Sequence, residues 1–320
     1  MSRFLLTGGG GFVGQWLART LLDRGDDVVL AGLGSPGDGP NILTASERGA
    51  VQWIKSDVTD QADVDAMLDD AQPDAVVHLA GVAFPPDADS YPTRAYEVNT
   101  LGAVRLLSAC ARRRRDGTLD PAIVIVGSAT QYGAHDAASM PLAETAEQRP
   151  QTIYAASKAA QEIVALQMAR AEGLRVVCAR SFNHSGVGHG EQYLLPSLVR
   201  RIRQIQGGAE PRLALGNDVV RDYVHVRDVA TAYLAMAERG TAGEVYNVAS
   251  GVGLSVRELA AAILLGAGVT ADISTDQSLV RTTDIPVLVG SPAKLMRDTG
   301  WVPTRTHTDI IDDLLHASTE

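Results

Sequence analysis

The sequence predicts an α/β fold: a doubly wound parallel sheet followed by a smaller C-terminal domain. Three observations predict it. Short apolar runs alternate with helix-length amphipathic segments through the first 180 residues, the pattern of strands joined by helical crossovers. No hairpin signal lies between neighbouring runs, so the strands run parallel and helices cover both faces. A glycine-rich turn follows directly on the opening strand.

Residues 3–7 form that strand and run into Gly8-Gly9-Gly10-Gly11-Phe12-Val13-Gly14. The next helix carries Trp16, Leu17, Leu21 and Leu22 on its apolar side. Gly8 permits the tight turn, Gly11 lets a pyrophosphate approach the backbone, and Gly14 lets the helix pack closely. The turn is thus a candidate dinucleotide site. Residues 27–32 make the second strand. An NAD site has a carboxylate at this strand's end, but here Gly32 leads into Leu33-Gly34-Ser35. Neither a carboxylate that repels a 2′-phosphate nor an Arg that holds one is present, so the cofactor is NAD or NADP.

A third strand over 51–55 ends in Asp57-Val58, and 60–70 is an acidic helix. The strand 75–81 runs into a small-residue turn at Leu79-Ala80-Gly81. A single long helix is expected over about 92–115, containing Asn99, before strands at 123–126 and 174–179. From Ser181 to Gly190 the texture becomes a polar, glycine-rich loop, and α/β alternation weakens. We expect residues 1–180, with a return segment of about 217–249, to form the dinucleotide-binding domain. Residues 181–216 and 250–320 would form the smaller one, with helices at 254–265 and 308–316.

The fifth strand ends at Ser128, and the helix starting near Ile153 brings Tyr154 and Lys158. Strand carboxyl ends line the crevice of a doubly wound sheet, so all three should meet the glycine turn. Tyr154 and Lys158 share a helix face. A nearby cation favours the phenolate, which would lower the pKa of Tyr154 and suit it to proton transfer.

The formal net charge of −10 argues against nucleic-acid and anionic-membrane partners. No apolar run is long enough to span a bilayer, and no leader is evident. Cys110 and Cys178, each in an apolar stretch, read as buried free thiols of a cytoplasmic protein. No Cys/His cluster has metal-ligand spacing. Arg112–Arg115 suits the end of a helix, and His78 reads as structural.

The sequence resembles the extended short-chain dehydrogenase/reductase family of sugar-nucleotide enzymes over nearly its whole length. The resemblance rests on Thr7–Gly14, Asp57-Val58, His78–Gly81, Asn99, Ser128, Tyr154-xxx-Lys158, Arg221–Asp228 and Arg281–Pro286. It implies a Rossmann-type sheet and a substrate-binding domain. By that resemblance Gly8, Gly11, Phe12, Val13 and Gly14 contact the cofactor pyrophosphate, and Asp57 and Val58 the adenine. Leu79, Ala80, Gly81 and Asn99 would line the cofactor, and Lys158 would hold the nicotinamide ribose. Asn183, Arg200, Arg221, Arg281 and Asp284 would bind the nucleotide-sugar substrate.

The C-terminal half is most similar to the GDP-4-keto-6-deoxymannose reductases and their dehydratase relatives. It carries Ser181–Gly188, with Val187 where those relatives have Pro, Leu215-Gly-Asn217, 284–290 and Thr299–Pro303. The resemblance implies a GDP-linked deoxysugar substrate and a homodimer. A dehydratase in the family carries a Glu two residues after the Ser, and here Thr130 stands there, so dehydration is disfavoured. Reduction of a C4 ketone and 4-epimerisation both remain open to Ser128, Tyr154 and Lys158.

Overall fold

Continuous apolar runs make the strands of the large sheet. Phe4–Leu6, Val28–Ala31, Ala75–Val77 and Ile123–Ile125 are all buried, as strands covered on both faces must be. The structure, a computed structural model, describes residues 1–35, 37–280 and 284–317.

The first half runs β1 (Arg3–Thr7), α1 (Phe12–Asp23), β2 (Asp27–Gly32), α2 (Ala45–Ala50), β3 (Gln52–Lys55), α3 (Gln61–Ala71) and β4 (Ala75–His78). It continues with α4 (Pro85–Ser90), α5 (Pro92–Tyr96), α6 (Gly102–Arg115), β5 (Ala122–Val126), α7 (Ile153–Glu172) and β6 (Arg175–Ser181). Then come β7 (Asn183–Ser185), α8 (Leu194–Gln206), β8 (Arg212–Leu215), β9 (Val220–His225), α9 (Val226–Arg239) and β10 (Val245–Val248). The chain closes with β11 (Gly253–Ser255), α10 (Val256–Gly266), β12 (Asp272–Thr275), β13 (Val287–Leu288), α11 (Ala293–Thr299) and α12 (His307–His316).

The large sheet has the order β10-β6-β5-β4-β1-β2-β3, with every pair parallel. The chain starts in the middle, winds outward through β2 and β3, then restarts at β4 and winds the other way. Its switch point lies between β1 and β4, where such sheets open a crevice beyond the strand ends. One face is packed by α1 and α9 through Leu17, Leu21, Val229 and Tyr233. The other is packed by α3, α6 and α7 through Met67, Leu106, Cys110 and Ala165.

The smaller layer has its own core of α8, α10 and α12, built on Leu198, Ile202, Leu259, Ile263 and Ile310. There β9 pairs antiparallel with β11 and parallel with β13 and β7, and β12 pairs with β8. The return segment expected over 217–249 therefore reaches the large sheet through α9 and β10, while β9 belongs to the small one. The reason is visible in its composition: Arg221 and Asp222 interrupt the apolar run that a central strand needs.

The single helix expected over 92–115 is three pieces. A π-helical turn, Glu97–Leu101, separates α5 from α6. Asn99 sits in that turn, and widening the helix there lets its side chain reach other elements. The loop expected over 181–190 also begins as strand, in β6 and β7. Cys110 and Cys178 are buried and free; burial pushes the Cys110 thiol up to about 12 and the Cys178 thiol up as well. No helix among the described residues is long and apolar enough to cross a membrane.

Candidate active site

The glycine turn closes β1 onto α1 and faces the end of β4. Gly8 has φ +69°, and a Cβ there would stand 2.8 Å from Ala80 N. Both facts require glycine. A Cβ on Gly14 would meet the Gly9 carbonyl at 2.6 Å, so this glycine lets α1 close on the turn itself. Gly11 N–H donates back to Gly8 O at 3.0 Å. A cleft of about 270 Å³ opens over the strand ends, lined by Thr7, Gly8, Gly32, Asp57, Val58 and Gly81. The cradle fits a dinucleotide: backbone close at the turn, small residues at the strand ends. Phe12 stacks on His189 at 4.7 Å between ring centroids, and both Phe12 and Val13 pack against the cluster of Trp16 and Ile42.

Ser128 follows β5 and caps the 3-10 turn Ala129–Tyr132. Its Oγ accepts Thr130 N–H at 3.2 Å and lies 2.9 Å from Thr130 Oγ1. Tyr154, in the first turn of α7, lies near enough to Ser128 for the serine to bear on its phenol. The two side chains nominated in sequence for ketone chemistry are thus neighbours.

Lys158 does not lower the Tyr154 pKa in the way expected from their spacing. Burial raises the phenol above its ordinary value, the neighbouring Ser128 offsets part of this, and nearby Tyr193 adds to it. The ammonium points instead to Val126 O at 2.8 Å and Gln161 Oε1 at 3.0 Å. Burial draws Lys158 down to about 8, so the desolvated ammonium is itself a ready proton donor.

Asn99 is fully buried, and its amide is spent within the protein. Oδ1 accepts Val82 N–H at 2.8 Å, and Nδ2 donates to Ser157 Oγ at 2.9 Å. It ties the turn after β4 to α7. Leu79 N–H donates to Thr7 O at 3.0 Å and Ala80 N–H to Thr7 Oγ1 at 3.4 Å, holding that turn on β1. His78, also fully buried, sits with Nδ1 2.8 Å from Thr7 Oγ1; burial, then the Lys158 charge, holds it at about 3.

In the smaller layer three of the residues expected to hold a substrate, Asn183, Arg221 and Asp284, lie on or beside β9. Arg221 Nη1 donates to Val220 O and Ile285 O at 2.9 and 2.7 Å. Asp284 lies near enough to bear on the Arg221 charge and accepts from Asn217 at 2.9 Å. Asn183 is in register with Tyr223 on β9 and lies near enough to bear on its phenol. Arg200 is exposed and pairs with exposed Glu191 at 3.3 Å instead. Arg281 lies outside the described residues.

Sequence reasoning missed the layer behind these groups. Gln131 Oε1 accepts Ser128 N–H at 2.7 Å, and its Nε2 donates to Glu162 at 3.0 Å; Glu162 in turn pairs with Arg180. Asp222, buried, accepts four hydrogen bonds from Ser250, Gly251 and Gly290. Trp16 Nε1–H donates to Val187 O at 3.0 Å, which fastens the departing loop to α1. One signal was available: Gln161 and Glu162 lie three and four residues after Lys158, on its own helix face.

The family model described as GDP-mannose 4,6 dehydratase matches residues 5–314. A GDP-6-deoxy-D-mannose reductase of Pseudomonas aeruginosa is 38% identical over 236 residues, 73% of this chain and 76% of that protein. A UDP-glucose 4-epimerase of Azospirillum brasilense is 31% identical over 329 residues, 96% of this chain and 89% of that one. The solved structure of RMD from Pseudomonas aeruginosa complexed with NADPH gives a TM-score of 0.81 at 32% identity, covering 98% of each chain. With the glycine cradle, the neighbouring Ser128 and Tyr154, and a match from residue 5 to residue 314, the chain is an enzyme of the GDP-mannose 4,6-dehydratase family.

Proposed function

We propose that the protein reduces the C4 ketone of a nucleotide-linked 4-keto-6-deoxyhexose, most simply GDP-4-keto-6-deoxy-D-mannose to GDP-6-deoxy-D-mannose. One observation carries the reading. Ser128 lies near enough to the Tyr154 phenol to bear on its titration, and the side chain beside Ser128 is Thr130, with Oγ1 2.9 Å from Ser128 Oγ. A hydroxyl at that position does no carboxylate work near neutral pH, so the centre is equipped for one hydride and one proton.

Gly8, Gly11, Phe12, Val13 and Gly14 would hold the pyrophosphate of NADH or NADPH, Asp57 and Val58 the adenine, and Lys158 the nicotinamide ribose. Bound there, the reduced dinucleotide supplies the hydride. Ser128 orients the ketone, and Tyr154 gives its proton to the C4 oxygen. Lys158 stabilises the phenolate left behind, charge that develops only during the step. Arg221, Asn183 and Asp284 grip the nucleotide diphosphate and ribose, with Arg281 proposed to join them. A GDP-linked substrate is favoured by the Pseudomonas relative at 38% identity.

A second reading, a 4-epimerase with tightly held NAD, is favoured by the Azospirillum relative, which spans almost the whole chain. The test is to supply GDP-4-keto-6-deoxymannose with NADH or NADPH and follow absorbance at the reduced nicotinamide band. Stoichiometric oxidation, abolished by Tyr154→Phe, supports reduction. Interconversion of two nucleotide sugars without net cofactor turnover means epimerisation. Dinucleotide binding with neither reaction would leave a non-catalytic regulator.

A homodimer is also proposed. Tyr91, Tyr96, Leu101 and Ile163 leave exposed apolar side chains around neighbouring helices α5, α6 and α7, a cluster that favours a partner surface. Light scattering tests it. The two buried free thiols suit a cytoplasmic location.

A further inference from the structure

Lys158 is held by two acceptors from different elements: the Val126 carbonyl ending β5, and Gln161 Oε1 one turn further along α7. An ammonium has three donors and no acceptor. These two bonds therefore fix its direction and leave one N–H to spend. They also fix the Gln161 amide, because only its oxygen can face an ammonium. The ammonium stands beside the turn after β4, where a Cβ on Gly81 would lie 3.4 Å from Nζ.

Gln161 is poorly served by this arrangement. It is fully buried, its oxygen is taken by Lys158, and its Nε2 finds no partner among the described residues. A buried amide N–H left unpaired costs stability, and an apolar side chain of the same shape would avoid that cost. Stability of the fold therefore does not account for a glutamine here. Its bond to Lys158 does.

We propose that Gln161 is a positioning residue, aiming the Lys158 ammonium at the seam between the turn after β4 and α7. The inference rests on reading Lys158 as the partner of Tyr154 and of the dinucleotide ribose. The surroundings fit a neutral tether. On β4 the facing titratable group is His78, which burial keeps uncharged. On α7 it is Tyr154, whose own neighbours are Ser128, Tyr193 on the segment leading into α8, and Tyr233 on α9. From β5 comes only a carbonyl. No carboxylate among these neighbours clamps the lysine, so an amide can set its direction while its charge stays free to answer a phenolate.

The chain holds three lysines, Lys55, Lys158 and Lys294, so biosynthetic ¹³C,¹⁵N-lysine labelling followed by NMR should resolve Lys158 and its titration without altering its N–H donors. Gln161→Leu and Gln161→Glu in the full chain make the test. The Leu variant should still fold, since it removes an orphaned amide N–H as it takes one acceptor from Lys158. It should bind NADH and NADPH about tenfold more weakly, the worth of one well-placed hydrogen bond, and its Lys158 should titrate lower. The Glu variant should raise the Lys158 midpoint by roughly one pH unit through a new buried ion pair. Unchanged dinucleotide affinity and an unchanged lysine titration in both variants overturn the proposal. So does a Leu variant that fails to fold, since Gln161 would then be a stability residue. If wild type reduces no nucleotide sugar yet these shifts appear, the reductase reading falls and the tether stands.

Discussion

Arg180 and Glu162 meet in a two-pronged ion pair behind the active site. Arg180 Nη2 donates to Glu162 Oε1 at 2.6 Å and Nε to Oε2 at 2.9 Å, and both residues are buried. Glu162 also receives Gln131, which accepts Ser128 N–H. Arg180→Met strands a buried carboxylate and should cost about 3–5 kcal/mol in urea unfolding. Adding Glu162→Leu should restore much of that stability. Turnover should stay low in the double variant, because Gln131 has lost its acceptor and Ser128 its support. Full activity in the double variant would break the link from the ion pair to Ser128.

The buried histidines set the acid limit of the fold. Folded His78 is held at about 3, against 6.5 for an exposed imidazole. Between those values the unfolded chain takes up the proton and the folded chain does not. His78 therefore leaves stability intact above about 6.5 and removes it as the pH falls towards 3. His189, also held at about 3, acts in the same direction. The melting temperature should drop between pH 7 and pH 5, and drop less in His78→Asn, whose amide can still meet Thr7. Equal drops in the two proteins would show that His78 is not the group involved.

Gly8→Ala meets two obstacles at once, a left-handed backbone and the Ala80 N–H at 2.8 Å. Strained positive φ alone costs about 1–3 kcal/mol. The variant should lose stability by at least that much, and its affinity for reduced dinucleotide should fall further than its melting temperature alone would suggest. Fluorescence titration of NADH or NADPH separates the two effects; tight binding by a folded Ala variant would count against the cradle.

Asp228 holds the tail. One carboxylate accepts Thr304 and Arg305 backbone N–H groups at 2.9 and 2.7 Å and pairs with the Arg305 guanidinium at 2.7 Å. Asp228→Ala leaves these donors without their partner at a nearly sealed site and should cost about 3 kcal/mol. Limited proteolysis should then cut near residues 302–306 before anywhere else. A cleavage pattern like that of wild type would argue for an independent hold on α12.

What the sequence revealed was local or periodic. The parallel core showed in its apolar runs. The glycine turn and the Tyr154-xxx-Lys158 spacing each lie within a few residues, so their geometry follows from one strand end or one helix face. What stayed hidden depends on partners far apart along the chain: Thr7 with His78, Gln131 with Glu162, Asp228 with Thr304. Polar residues in such pairs carry no periodicity of their own. β9 was obscured because Arg221 and Asp222 break its apolar run, and the π-turn because Asn99 satisfies contacts that helical spacing does not foresee. The hydrogen-bond partners of Lys158 were hidden for the same reason: Tyr154 is its neighbour along α7, but Val126 and Gln161 hold its ammonium.

The seventh strand of the large sheet arrives late. β10 pairs with β6 in register from Val245 opposite Cys178 to Val248 opposite Ser181, yet the segment between them builds much of the smaller layer. While the chain emerges from a ribosome, β6 must wait with an unpaired edge until that intervening stretch has been made. Exposed strand edges invite pairing with other chains, and nascent multi-layer proteins are vulnerable at such moments. Release of a product truncated before β10 should therefore favour aggregation over a stable cofactor-binding fragment.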